Sequence, residues 1–514
     1  MNYGLLFRTV RYLKPTQVIY QVKNRLIKPA YKEYDTSGFK ILVSGFKAEP
    51  IAKYNCLEGN VFTFLNLAHE FAGWNYTENG MLWAYNQNYF DWINQEGVFE
   101  EEGCKWIDKF IKGLPNNKVG LDPYPIALRS INWVKFFCRN PESATILRLD
   151  SLYSQLKLLE EKLEYHLLAN HLLEDAYALY IGAVFFGDKK LLNKSSKLLK
   201  KQLKEQILPD GAHYEQSPMY HCILLDRLLD VINIANNEVR CQMEDVRCFS
   251  EYAERMLGHL ESIMWADGGI PMMNDSANGI APKALDLFDY AKRLGLEWKA
   301  KPMKECGYRK LKDEYLEALV DVGNITATYQ PGHTHADTFS YELRLNGVPL
   351  VVDTGVSSYN KNERRQYERS TKAHNTVSIR EENSSEVWGG FRVGRRAVVT
   401  VYEDDKNMIK VSHNGFKEGV VHRFFSVSNR SFCITDTVSS NSICYNYIHL
   451  APSVGDISIV GNTICGRSFL IELEGVDSVD IQKDNISLEY NSFKEHNVVV
   501  MKFKKQMSYQ IRLY

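Results

Sequence analysis

The chain has 514 residues, 45% of them apolar and 24% charged, which is enough to bury more than one hydrophobic core and excludes an intrinsically disordered protein. A formal net charge of −1 and a pI near 6.9 exclude a global field suited to nucleic acid or to a densely sulfated polymer, so any anion site must be local. Ten cysteines without a CxxC pair or a repeated spacing read as reduced thiols in a large core, not as a disulfide framework.

The first segment, "MNYGLLFRTVRYLKPTQVIYQVKNRLIKPAYK", is basic, with no Asp or Glu before Glu33. Arg8, Arg11, Lys14 and Pro15 interrupt its apolar residues, so it shows neither a secretory signal nor a membrane span. A cytoplasmic location is the expectation, with periplasmic or secreted placement by another route as the alternative. An amphipathic helix of this kind could rest on an anionic membrane surface. The favoured reading is a helix packed on its own domain with a solvated basic face.

Up to about residue 310 the apolar residues recur at helical spacing, as in "SLYSQLKLLEEKLEYHLLANHLLEDAYALYIGAVFFG" (151–187) and "SPMYHCILLDRLLDVINIA" (217–235), with Gly and Pro between the runs. Earlier, "DPYPIALRSINWVKFF" (122–137) sets Arg129, Asn132 and Trp133 at helical spacing. An indole stacks on sugar rings and a guanidinium clamps carboxylates, so Arg129 and Trp133 are candidate substrate contacts; burial of the tryptophan in the core accounts for it equally well. Past "KAKPMKECGYRKLKDEY" the period changes to two. Stretches such as "RRAVVTVYED", "FSVSNRSFCITDTVSS" and "NVVVMKFKK" alternate between Asn, Gly, Asp and Ser turns, which predicts an antiparallel sandwich. The boundaries are set at 1–308 for the helical domain and 309–514 for the β domain.

The most informative stretch is "GHTHADTFSYELRLNGVPLVVDTG" (332–355). Strands at 338–345 and 348–353 around the Asn-Gly turn would place His335 beside Asp353, and "STKAHNTVSI" sets His374 at the start of another strand. His, Asp and His form a sensible zinc set, since imidazole nitrogen and carboxylate oxygen both suit that cation. Hydrogen-bonded loop residues would give the same pattern, and spacing alone leaves both readings open.

The chain resembles the heparinase II/III-like polysaccharide lyases, a family that includes heparinases and oligoalginate lyases. The resemblance rests on "NHLLEDAYALYIGAVFFG" (170–187), "DGAHYEQSPMYH" (210–221), "GHTHADTFSYELRLNGVPLVVDTGVSSY" (332–359), "RRQYERSTKAHNTVSI" (364–379) and "SSEVWGGFRVGRRA" (384–397). It implies an N-terminal (α/α) toroid followed by a C-terminal antiparallel β-sandwich, in agreement with the change of period, and β-elimination at a uronic acid of an acidic polysaccharide or oligosaccharide.

Such a lyase needs groups that neutralise the uronate carboxylate, a base for the C5 proton and an acid for the departing O4 oxygen. The resemblance implies that Asn170 and His171 neutralise the carboxylate, that Tyr214 is the acid, and that His333 reaches the cleft as base or neutraliser. It also implies a mainly structural zinc on His335, Asp353 and His374. Glu174, one helical turn beyond Asn170, is a further catalytic candidate, Asp337 a partner behind the metal, and Tyr359 and Arg369 candidate substrate contacts.

Two features set this chain apart from a secreted heparin-degrading enzyme: no export signal is seen, and its charge is near neutral. Action on oligosaccharides inside the cell, or in a capsule or exopolysaccharide pathway, fits better. Two other functions stay open, a non-catalytic carbohydrate-binding or assembly protein on the same scaffold and a glycoside hydrolase. The latter would need two opposed carboxylates, for which Asp210, Glu215 and Asp267 are the candidates. The sequence does not speak to oligomeric state.

Overall fold

The computed structural model describes residues 3–53, 56–236 and 241–514. Two short helices, α1 (Tyr3–Val10) and α2 (Pro15–Leu26), lead into a small antiparallel sheet of β1 (Leu57–Glu58), β2 (Val61–Phe64) and β3 (Leu67–Glu70). The helical body follows: α3 (Met81–Tyr89), α4 (Glu100–Gly113), α5 (Pro123–Arg139), α6 (Ile146–Lys162), α7 (Ala169–Phe186), α8 (Lys189–Gln206), α9 (Pro218–Ala235), α10 (Met243–Ile263) and α11 (Ala284–Arg293). The long apolar run at 151–187 is thus two helices, broken at 163–168. The small sheet is a departure from the all-helical expectation; its two- to four-residue strands are too short to show a period.

The helices form two layers. In the inner layer α7 packs between α5 and α9, and α5 touches α3. Every residue of α7 except His171 is buried, and every residue of α9 except Tyr220 and Ile223, as expected of helices that are apolar on nearly all sides. In the outer layer α8 presents its leucines inward and its lysines to solvent. It packs on α7 and α10. Because the inner helices are enclosed on every other side, the residues that break their burial mark the cleft.

From Tyr308 the chain is β-structure. The strands β4 (Tyr308–Lys312), β5 (Leu316–Asp321), β6 (Tyr341–Leu345) and β7 (Val348–Val351) form one antiparallel sheet in sequence order. Asn346 and Gly347, with φ of 49° and 77°, make the tight β6–β7 turn. After β8 (Val377–Ile379) and the short pair β9 (Val387–Trp388) and β10 (Arg392–Val393), the larger sheet is built from β11 (Val399–Asp404), β12 (Met408–His413), β13 (Val421–Ser428), β14 (Ser431–Val438), β15 (Cys444–His449), β16 (Ser458–Val460), β17 (Thr463–Cys465), β18 (Phe469–Glu489) and β19 (Ser492–Leu513). Its order is β11-β12-β13-β14-β19-β18-β17-β16, with β15 on β19 and β8 on β15. Leu316, Ala318, Val320, Tyr341 and Leu343 of the first sheet share one core with Ile409, Val411, Phe425, Phe432 and Ile434 of the second. The two sheets are therefore a sandwich.

Candidate active site

A cavity of about 870 Å³ lies between the helical body and the sandwich. The helical side contributes Asn132, Asn170, His171, Tyr220 and Arg227, and the β side His333, Tyr359, Phe391 and Tyr490. His171 and Tyr220 are where a buried helix opens to the cavity, while Asn132, Asn170 and Arg227 are buried polar side chains in its wall. Tyr220, Ile223 and the adjacent pair Asp226 and Arg227 are set at three- to four-residue spacing along α9, and all line the cavity.

At its centre Asn170 Nδ2 donates to Glu215 Oε2 at 2.9 Å and lies 3.3 Å from His333 Nε2. His333 Nδ1 is 2.9 Å from Asp275 Oδ2. Asp275 also meets His335 Nε2 at 2.8 Å and both terminal nitrogens of Arg365 at 2.5 and 2.6 Å. Although burial opposes ionisation, the Arg365 guanidinium and the two imidazoles hold this carboxyl well below the usual carboxylate range. A charged Asp275 accepts from Nδ1–H of His333 and leaves Nε2 on the side of Asn170 and the cavity. The His333 ring lies 4.0 Å from that of Tyr220, whose hydroxyl is 3.1 Å from the Tyr359 hydroxyl. Burial first of all keeps the Tyr220 phenol above its ordinary value, so it holds its proton. Burial likewise raises Glu215, against the lowering effect of His333 and of the Asn170 hydrogen bond.

Backbone strain brackets this centre. Leu168 and Ala169 (φ 63° and 54°) precede Asn170, Gln216 (59°) follows Glu215, and Asn274 (55°) precedes Asp275. Left-handed conformations of non-glycine residues cost on the order of 1–3 kcal/mol each and persist only where surrounding contacts impose them. Here they do: Asn274 Nδ2 donates to Gln216 O and Tyr308 Oη, and Tyr308 Oη donates to Gln216 O at 2.5 Å.

Of the residues picked out from the sequence, Asn170, His171, His333 and Tyr359 line the cavity together. His171 has Nδ1 3.1 Å from Glu164 Oε2 and its ring against Tyr124. Other expectations are corrected. Tyr214 is buried outside the cavity, with its hydroxyl 2.7 Å from that of Tyr329; its neighbour Glu215 takes the cleft side. The cavity phenol that stands against the His333 ring is Tyr220, six residues on in the same motif. Ser217 caps α9 by accepting from Tyr220 N, which puts Tyr220 in the first helical turn. The signal for it was the Tyr-Asp-Arg spacing along α9.

Glu174 is fully buried beneath the cavity, 3.8 Å from Arg227, and burial pushes its carboxyl up to about 7. Arg129 is fully buried, bonded to Gln155 Oε1 and to the carbonyls of Asn88 and Gly120, and so holds turns instead of substrate. Trp133 is fully buried between Phe90, Phe110 and Phe137; truncating such a side chain costs about 3–5 kcal/mol. Arg369 is also buried, donating to Thr334 O. It supports the loop that carries His333. Of the carboxylates considered for hydrolysis only Glu215 reaches the cavity. Asp267 pairs with Arg344 and Asp210 accepts from the Lys304 and Cys306 amides.

The expected metal set divides differently from its sequence reading. His374 Nδ1 is 2.7 Å from Asp353 Oδ2, while His335 bonds to Asp275. Asp353 Oδ1 accepts from Gly355 N, so both oxygens of Asp353 have protein donors and Asp353 orients His374. The rings of His335 and His374 lie 5.2 Å apart. His335 Nδ1 and His374 Nε2 are buried without a hydrogen-bond partner, as is Asp337 Oδ2. These leftover atoms are of the kinds that ligate a cation, but they do not form a group of three whose ligand atoms lie within 4.8 Å of one another. Among the described residues the group that meets this criterion is Asp210, His259 and Cys306, all buried, which could hold a metal ion.

The architecture and cleft together define a two-domain protein of (α/α) toroid and antiparallel β-sandwich, with polar residues from both domains meeting in one cavity. The sequence matches the models "Heparinase II/III N-terminus" over residues 142–292 and "Heparinase II/III-like, C-terminal" over residues 296–512, and the chain belongs to the heparinase II/III-like family. A heparin-sulfate lyase of Bacteroides stercoris is 22% identical over 342 residues, covering 61% of this chain and 50% of that protein. One of Pedobacter heparinus is 25% identical over 244 residues, covering 42% and 36%. The matches thus span between about a third and a half of these relatives' lengths. In fold, the chain is similar to a crystal structure of heparinase III (TM-score 0.68, 13% identity, 99% of this chain and 93% of that one). It is also similar to a mutant heparan sulfate lyase of Pedobacter heparinus (TM-score 0.62, 16% identity, 97% and 88%).

Proposed function

We propose that the protein is a polysaccharide lyase that cleaves a uronic-acid-containing glycan by β-elimination. The observation that carries this reading is the placement of His333, with Nδ1 on Asp275 and Nε2 beside Asn170, its ring against that of Tyr220. Asn170 and His171 bind the uronate carboxylate and lower the cost of charge as C5 is deprotonated. His333 Nε2 takes the C5 proton, the C5–H electrons form the C4=C5 double bond, and the C4–O4 bond breaks. Tyr220 gives its proton to O4.

The cavity's charge bears on the substrate. Lys53 pairs with Asp91, Lys135 with Asp230 and Arg227 with Asp226, so three of the cations at its wall are already neutralised. That balance suits a glycan with one carboxylate per repeat and few sulfates, of the kind found in capsules and exopolysaccharides, better than a heavily sulfated chain. Incubation with glycosaminoglycans and unsulfated uronate glycans, followed by ultraviolet absorbance of the conjugated 4,5-unsaturated product, tests the proposal. New reducing ends without that absorbance would mean hydrolysis, and unaltered polymer would mean a binding protein.

For the metal, we propose one structural zinc held by His335 and His374, with Asp337 as the nearby carboxylate and Asp353 fixing the His374 ring. Bound there, the ion would tie the His333 loop to the strand that follows His374. Elemental analysis of the purified chain checks it.

A further inference from the structure

We propose that the N-terminal helices α1 and α2 dock on an anionic lipid bilayer, so that the enzyme meets its glycan at a membrane surface. The proposal rests on an inverted amphipathicity. A helix on a globular body ordinarily buries its apolar stripe and solvates its polar one, but α2 does the reverse, and α1, with Leu5 and Leu6 half-buried, keeps a second apolar stripe outward. On α2, Gln17, Tyr20 and Asn24 make the inward contacts: Gln17 Nε2 donates to Leu167 O, Tyr20 lies 4.6 Å from the Tyr165 ring, and Asn24 Nδ2 is 3.2 Å from His166 Nδ1. The opposite stripe, at three- and four-residue spacing, is apolar and exposed: Ile19 is 61% accessible, Val22 53% and Leu26 80%. On α1, Arg8 pairs with Glu386 and Thr9 accepts from Trp388 Nε1, while Tyr3, Phe7 and Val10 are exposed at the same spacing. No residue of α1 is buried, and of α2 only Gln17. The segment rests on its own domain with its basic residues exposed, as expected from the sequence, but it leaves apolar side chains exposed as well.

Charge selects the occupant. Residues 1–32 contain seven Lys and Arg and no carboxylate, in a chain whose net charge is −1, so the positive charge is segregated to this segment and the remainder is acidic. Arg11, Lys23, Arg25, Lys28 and Lys32 are exposed beside the apolar stripes. Exposed apolar side chains flanked by exposed cations match the boundary between acyl chains and anionic headgroups, where such helices lie in the plane of the surface. Among the described residues no helix is long and apolar enough to cross a membrane, so the contact would be peripheral.

The full-length chain should co-sediment with vesicles of equimolar phosphatidylcholine and phosphatidylglycerol, and do so less at high salt. Pure phosphatidylcholine vesicles should capture at least roughly tenfold less. The triple variant Phe7→Ser, Ile19→Ser, Leu26→Ser should lose sedimentation while keeping its melting temperature and its turnover of soluble oligosaccharide, because none of the three lines the cleft. Three results would overturn the proposal: no capture by either vesicle, equal capture of the triple variant, or a wild-type dimer that the triple variant dissolves without any vesicle binding.

Discussion

His333 and Asp275 come from opposite sides of the cleft, one from the loop before β6 and the other from the loop between α10 and α11, and they meet at 2.9 Å. The same carboxylate holds His335 at 2.8 Å, so one buried anion holds the cleft histidine and its neighbour two positions on together. Two residues of one loop, which a fully extended segment would turn to opposite sides, are thereby both held at a single point.

Asp275→Asn keeps the shape of this hub and removes its charge. Nδ1 of His333 then loses its fixed acceptor, and the Nε2 lone pair is no longer assured. Turnover should fall about 100-fold or more with KM little changed, as expected when a group behind a catalytic imidazole is neutralised. Arg365, fully buried, would lose its counter-ion, so the melting temperature should fall by the equivalent of about 3–5 kcal/mol. Steady-state kinetics beside thermal denaturation check both parts.

The two tyrosines of the "HYEQSPMYH" motif should separate cleanly. Tyr220→Phe keeps the ring against His333 but removes the proton for O4, and should cost about 100-fold in turnover. Tyr214→Phe removes only the hydrogen bond to Tyr329, so turnover should stay near wild type with a stability loss of about 1 kcal/mol. The opposite ranking in a kinetic comparison would return the acid role to Tyr214.

Much of this was legible in the sequence because period is a local property. The change from helical spacing to alternation, the Asn-Gly turn before β7 and the Ser-Pro start of α9 are each written within a few residues. Asn170, His171 and His333 were reached through motifs. What stayed hidden depends on contacts distant in sequence. Asp275 lies in "MMNDSANG" with no periodic neighbour, and only the approach of the sandwich loop gives it a role. Tyr214 and Tyr220 share one motif, and which of them faces the cleft depends on a β-bridge between Ile207 and His213 and on where Ser217 starts the helix. Arg129 and Trp133 have the chemistry of sugar contacts, yet α5 is enclosed along that length, and the core took them.

Metal content should distinguish the neighbouring histidines. His335→Ala and His374→Ala should each lose zinc and melt earlier, since metal affinity contributes directly to folding free energy. His333→Ala should keep its zinc and lose elimination, because its imidazole acts on the transition state. Inductively coupled plasma analysis of the three variants decides this. Equal zinc loss in all three would break the division of the segment into a cleft side and a metal side.

Glu174 offers a pH test of its burial beneath the cleft. Its carboxyl is raised from an ordinary value near 4.5 to about 7, chiefly by desolvation. A raised acid in the folded state binds a proton that the unfolded chain has already released between those two values, so folding stability falls as pH climbs from about 4.5 to about 7 and stays lower above that. The full difference is on the order of 3 kcal/mol. Glu174→Gln is neutral in both states and removes this slope: the variant should match wild type near pH 4.5 and exceed it at pH 8, with turnover largely retained because the side chain does not reach the cavity. Denaturant melts of both proteins across that range measure the effect. A variant equally stable but inactive would instead place Glu174 in the chemistry, as its position one turn beyond Asn170 first invited.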